Sequence, residues 1–318
     1  MRPVPATGWR LLGSSRGRAP AGAPRPLATP GDVEYCRRLV QANSYDSYLV
    51  SLFSPRRARE AAWGVRALDI ELASAGGRAT SQAAAQVRFA YWSGAIKSLY
   101  STDPVLTPVT RVVYDAVHGL GISKTWLRRL VLEREHALER PAPATVADVE
   151  KHGERAYACL IHPHLEALGV RDMHADNAAR AIGVATAVAE AIRSLPQLLE
   201  QRRCGLPLDI LEQHNVNLDD LYDHPRSTPA LQEAVYALAT TGYTRLCGVA
   251  ELYAPNAPRT ALPALLAAVP VKVWLERLER ANFDAFDASL QQRSLRVLWR
   301  LWRANRRGTL LDATNRGK

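Results

Sequence analysis

IRSLPQLLEQRRCGLP, from Ile192 to Pro207, decides how this chain is read, because of what it lacks. Ser194 and Leu198 stand one helical turn apart, so both face the same point beside the helix. Paired carboxylates at that spacing hold a divalent metal; here the pair is a hydroxyl and an isobutyl group. A hard cation such as Mg²⁺ requires anionic oxygens, and neither group supplies one. Pro196, between the two, makes the segment still poorer at presenting ligands in register.

An earlier segment, REAAWGVRALDIELASAG (Arg59 to Gly76), has the same spacing with one acid left. Asp69 is followed one turn later by Ala73. Glu71 points about 200° round the helix from Asp69 and does not replace the missing partner. Arg66, three residues before Asp69, is placed to form an ion pair with it.

These segments resemble the two acidic helices of the squalene/phytoene synthase family. The second family pattern reads I-L-R-D-x-x-x-D-x-x-R-G-R-x-x-L-P. Laid over it without a gap, Arg193, Arg203 and Leu206-Pro207 match, and the two aspartates fall on Ser194 and Leu198. In the first, Arg66 and Asp69 match and the second aspartate falls on Ala73. Three further stretches are similar to one non-enzymatic branch, the mitochondrial complex I (NADH:ubiquinone oxidoreductase) assembly factor six proteins. They are TPGDVEYCRRLVQANSYDSYLVSLFSP (Thr29 to Pro55), LEALGVRDMHADNAARAIGVATAV (Leu165 to Val188) and FDAFDASLQQR (Phe283 to Arg293). Asp69 departs from the branch, which is expected to have lost that acid.

The resemblance implies an all-α, isoprenoid-synthase-type bundle around a central cavity lined by the two former acidic helices. It implies a pseudoenzyme with a vestigial diphosphate pocket at Arg59, Arg66, Asp69 and Arg193, with Ala73, Ser194 and Leu198 at the lost acidic positions. No catalytic residue, metal or cofactor is expected. The implied role is assembly of complex I on the matrix side of the inner membrane, with assembly intermediates or subunits and surface lipids as partners. Two other readings are an active Mg²⁺-dependent prenyl transferase using Asp69, and a carrier of lipid or isoprenoid in the cavity.

Charge and composition agree with a folded, non-nucleic-acid protein. The 318 residues are 47% hydrophobic, enough for a core. The net charge of +10 is concentrated at the ends: residues 1–31 hold Arg2, Arg10, Arg16, Arg18 and Arg25 and no acid. A nucleic-acid binder would carry its basic stripe and stacking aromatics on the folded body. The Arg-rich, acid-free leader with no apolar run has transit-peptide composition. The expected organisation is a disordered leader over 1–31, one domain over 32–308 and a disordered tail over 309–318. Cys36, Cys159, Cys204 and Cys247 are dispersed, without metal or disulfide spacing.

Periodicity predicts helices over 32–43, 46–53, 56–74, 79–101, 106–118, 123–139, 145–168, 174–201, 208–213, 218–222, 228–254, 261–278 and 290–306, and no sheet. Gly119 is expected to stop one helix, and Thr145 with Asp148 to start another. LEREHALER (Leu132 to Arg140), with Glu135 and Glu139 one turn apart, reads as a solvated salt-bridged face. His162 and His164 should face apart, and Asp176 should favour a helix N-terminus. In the last helix Arg296, Arg300, Arg303 and Arg307 form one basic stripe, the candidate for an anionic membrane surface. The apolar residues around the rest of that helix read mainly as core.

Overall fold

A computed structural model describes residues 26–77, 82–101, 104–137 and 142–310. The leader up to residue 25, Glu139 and the tail from 311 lie outside the described residues. The described residues form helices and turns without a strand. α1 (Pro30–Asn43), α2 (Tyr45–Ser51), α3 (Arg56–Gly77), α4 (Gln82–Ser98), α5 (Pro108–Leu120) and α6 (Lys124–His136) make one half of the bundle. α7 (Val146–His152) runs through a π turn, Gly153–Tyr157, into α8 (Ala158–Ala167). α9 (Met173–Arg193) follows, then the short α10 (Leu195–Leu199), α11 (Leu208–Gln213) and α12 (Leu218–Asp223). α13 (Pro229–Gly248) ends in a second π turn, and α14 (Leu262–Leu265), α15 (Ala268–Arg280) and α16 (Leu295–Arg307) close the chain.

Helix ends follow local chemistry. Thr29 caps α1 in a reciprocal capping box with Asp32, and Pro30 supplies a first-turn φ at no cost in hydrogen bonds. Thr145 and Asp148 make the same box at α7. Asp172 caps α9 by accepting from the Ala175 amide, and Asp176 stands in the first turn, as expected of an acid near a helix N-terminus. α5 stops at Gly121, which is left-handed at φ 74°, and not at Gly119, which lies inside the helix.

Several expected boundaries move. The single helix over 174–201 breaks at Ser194, because Pro196 cannot continue the ladder of α9. The segments 145–168 and 228–254 are each interrupted by a π turn. The folded body also extends beyond 32–308. The amides of Leu27 and Ala28 donate to the Asp115 carboxylate at 2.7 and 3.0 Å, and Leu310 is buried.

α9 is the axis of the fold. Ala175, Ala178, Ala179, Ala185 and Val188 are wholly buried, and its small side chains let neighbours approach closely. It packs against α7, α8, α13 and α15. The tightest approach is to the first π turn. A Cβ on Gly153 would lie 2.5 Å from Val184 Cα, and one on Gly183 would lie 2.7 Å from the Ala158 amide nitrogen. A second core, built on α3, α4, α5 and α6, includes Leu68, Leu72, Phe89 and Leu127.

Gly153→Ala should destabilise the protein by about 1–3 kcal/mol, since backbone must shift to admit one methyl group. Gly94→Ala, on α4 with nothing within 4 Å, should be neutral or slightly stabilising. Urea unfolding midpoints of the two variants measure the difference.

Candidate functional site

A cavity of about 390 Å³ opens between α2, α3, α9 and α15 and is bordered by the turn that precedes α16. Arg66 of α3 reaches it from one acidic-helix position and Arg193 of α9 from the other. Asp46, Glu190, Arg277 and Arg293 add charge to its wall, and Trp63, Tyr157 and Trp274 add aromatic surface. Arg193 donates to Glu190 at 2.9 Å and lies 4.9 Å from the Trp274 ring centroid. Arg293 lies over Tyr45 at 4.4 Å.

Burial pushes the Asp46 carboxyl above its ordinary pKa, against the opposing pull of Arg193, Arg277 and Arg293. His164 faces the cavity from α8, hydrogen-bonded through Nε2 to the Ser54 hydroxyl at 2.7 Å. Burial pushes its pKa down to about 4, so it is neutral at physiological pH. His162, two residues away, faces elsewhere: Nδ1 lies 3.1 Å from Asp176, and its ring stacks on Trp126 at 4.1 Å. Among the described residues no group of three His, Cys, Asp or Glu side chains converges as a metal site.

Asp69 does not open into the cavity. It is 3% exposed, and Arg134 of α6 clamps it in a fork, Nε to Oδ1 at 2.7 Å and Nη2 to Oδ2 at 2.9 Å. Arg66 stands between Asp69 and the cavity, 3.5 Å from Oδ2. Burial alone would raise the Asp69 pKa, but the charges of Arg134 and Arg66 hold it below the ordinary carboxylate value. The Arg66 pairing expected from spacing is therefore the weaker contact, and Arg134 is not part of a solvated face.

Of the remaining positions, Ala73 is exposed at the far end of α3, and Ser194 donates its hydroxyl to the Glu190 carbonyl at 2.7 Å. Leu198 is half-buried on α10. Arg59 is not part of the cavity wall; its guanidinium lies 5.6 Å from the Trp63 ring centroid. A turn from Ala288 to Gln292 borders the cavity. Arg277 donates to the carbonyls of Ser289 and Gln292, Gln291 to the Arg193 carbonyl, and Trp274 to the Leu290 carbonyl. The FDAFDASLQQR stretch is thus built into the cavity rim, a placement its polar composition alone does not disclose.

α16 corrects the reading of the basic stripe. Arg300 is turned to the body and paired with Glu276 at 2.7 Å, and Arg303 lies over Trp299 at 5.2 Å. Arg296 and Arg307 are exposed. Only Val297, Leu301 and Ala304 of this helix are buried.

Residues 40–303, which contain this bundle, match a known family model, squalene/phytoene synthase. The chain belongs to the squalene/phytoene synthase family. Its fold is the isoprenoid-synthase helical fold. A dehydrosqualene synthase crystal structure superposes with a TM-score of 0.76 at 16% identity, covering 87% of this chain and 96% of the other. The squalene synthase HpnC from Alicyclobacillus acidocaldarius gives 0.71 at 19% identity, covering 80% and 96%. Among relatives, NADH dehydrogenase (ubiquinone) complex I, assembly factor 6 of Mus musculus is 31% identical over 92% of this chain and 89% of its own length. The Homo sapiens protein of that name is 30% identical over 87% and 83%.

Arg134→Met should cost about 3–5 kcal/mol near neutral pH, because Asp69 is left charged and buried without its main partner. The Asp69 pKa is lowered on folding, so its stabilising contribution is present above the unfolded value of about 3.9 and fades as pH falls through the folded value. The deficit of the variant should therefore shrink in acid. Asp69→Leu with Arg134→Met should recover most of the loss. Denaturant titrations across pH check all three outcomes.

Proposed function

We propose that this chain assists the assembly of mitochondrial respiratory complex I, as a family member that does not turn over prenyl diphosphates. The observation that carries the second half is the Asp69 fork. The one acid retained among the four matched positions has both oxygens engaged by Arg134, with Arg66 beside it. Ala73, Ser194 and Leu198 add no anionic oxygen. Residues of this kind do not fit Mg²⁺, which binds through carboxylate oxygens and the substrate's phosphates. No catalytic step is derived through such an ion.

The relatives' names support the first half: over most of their length, sequences about 30% identical to this one are called complex I assembly factor 6. The acid-free arginine-rich leader supports import into mitochondria. No described helix is long and apolar enough to cross a membrane, and the exposed basic last helix supports peripheral attachment to the matrix face of the inner membrane. Complex I subunits or assembly intermediates are the proposed protein partners. The cavity favours one addition to this reading. With about 390 Å³ retained behind a polar and aromatic wall, a lipid or isoprenoid can be held without being converted.

Incubation with farnesyl or geranylgeranyl diphosphate and Mg²⁺ should release no more pyrophosphate than a heat-killed control. Release above that level overturns the non-catalytic reading.

In cells deprived of this protein, native gels should show less assembled complex I, with subassemblies accumulating. Re-expression of the full chain should restore assembly. A chain lacking residues 1–25, which leaves the Leu27 and Ala28 bonds to Asp115 and the Thr29 cap in place, but keeping an initiating Met, should stay in the cytosol and restore nothing. Normal complex I in the depleted cells would sink the assembly role.

A further inference from the structure

Among the described residues, much of the circumference of α16 is uncovered. Its seam against the body is Val297, Leu301 and Ala304, spaced by four and three residues. At about 100° per residue, Leu295, Trp299 and Trp302 fall on the opposite side, and Leu298 lies beside them on the flank, roughly 90° from the seam. Leu295 is 89% exposed, Trp299 54% and Trp302 50%. A surface helix ordinarily turns its polar residues outward and its apolar stripe inward; α16 carries an apolar stripe on each side.

The surroundings of this outer ridge are cationic. Arg296, Arg303 and Arg307 run along one flank, and Arg306 lies among the apolar side chains with its guanidinium 5.3 Å from the Trp302 ring. From Ala288 to Leu310 the sequence holds six arginines and no acid. Glu276 of α15, the helix that α16 packs against, is already held by Arg300 at 2.7 Å and Arg280 at 3.8 Å. An occupant of the ridge must therefore present an apolar layer under a negative surface. Indoles combine a large apolar body with an N–H that seeks the water boundary, which suits that layered environment.

We propose that the Leu295–Leu298–Trp299–Trp302 ridge inserts into the headgroup boundary of an anionic lipid bilayer, with the flanking arginines on lipid phosphates. This rests on the membrane part of the function proposed above and names the element and the side of it that docks. Binding then has two components that separate in experiment. The charge component is screened by salt within a Debye length, whereas burial of the ridge is not.

The test uses the full chain with vesicles of phosphatidylcholine and cardiolipin in equal mass, beside vesicles of phosphatidylcholine alone. Co-sedimentation and the tryptophan emission wavelength are read at low and high salt. The unaltered protein should bind the cardiolipin vesicles with a blue-shifted emission and keep part of that binding at high salt. Trp299→Ser with Trp302→Ser should weaken binding by about tenfold or more, the scale set by lost apolar area, and abolish the salt-resistant part. Arg296→Gln, Arg303→Gln and Arg307→Gln together should remove the preference for cardiolipin over phosphatidylcholine. All five positions are at least partly exposed, and an unchanged thermal midpoint shows that each variant is folded.

Failure of the unaltered protein to bind either vesicle, or equal binding by the tryptophan variant, overturns the proposal. Complex I assembly that is lost on the tryptophan substitutions while vesicle binding is absent throughout assigns the ridge to a protein contact and leaves the assembly role standing. Vesicle binding as described, with complex I assembly independent of the chain, sinks the assembly role alone.

Discussion

A carboxylate in a helical core has to be answered by charge, and in this protein the answer to Asp69 comes from a helix 65 residues further along. Stripped of its partner, such a buried ion costs several kcal/mol, a large share of the whole stability of a domain. The fork between Asp69 and Arg134 therefore ties α3 to α6. Arg66 then stands between the fork and the cavity wall. Arg66, Arg134, Tyr157 and Glu190 all lie within the electrostatic reach of one another. Burial, with the charges of Glu190 and Asp69, pushes the Tyr157 phenol above its usual range, against the opposing pull of Arg134 and Arg66. Asp69 is thus a structural anchor between two helices, turned away from the cavity.

Much of the fold could be read from local chemistry. Thr29 with Pro30 and Asp32, and Thr145 with Asp148, announce helix starts through contacts made within four residues. Pro196 is an equally local cause of the break after α9, but the periodicity over 174–201 runs straight through it and hides it. What could not be read depends on long-range placement. Arg134 sits in a run of alternating Arg and Glu whose pattern describes a solvated surface; nothing within the run shows that one arginine points inward to Asp69. The first π turn was hidden for a related reason, since it sits where Gly153 meets α9, a long-range approach that its own five residues do not announce. In α16 the sequence shows Leu, Trp and Arg distributed round a helix. Only the narrow seam of Val297, Leu301 and Ala304 reveals how few of the apolar residues the core requires.

The candidate site was legible in what it lacks and obscure in what it contains. Ala73, Ser194 and Leu198 are visible as absences once the segments are laid over the family's acidic-helix pattern, which is what the resemblance implies. Asp46, Arg277 and Arg293 come from three separate places in the chain and meet only in the folded protein. Their meeting gives the cavity a mixed-charge wall, with Asp46 surrounded by arginines yet destabilised as an anion by its burial. The rim is fastened chiefly through backbone carbonyls of the Ala288–Gln292 turn.

The π turn between α7 and α8 acts as a phase shifter. Widening one turn of helix inserts roughly one extra residue, which rotates everything downstream by about 100° relative to an uninterrupted α-helix. α8 inherits that rotation, so the directions in which it presents His162 and His164 are set upstream, where Gly153 meets Val184. Removing a single residue from the turn would straighten the helix and still leave His162 and His164 in the chain. It would also swing the first away from Asp176 and the second away from Ser54 and the cavity. The length of this short segment is thus a coordinate of the site, as much as the identity of any side chain that lines it.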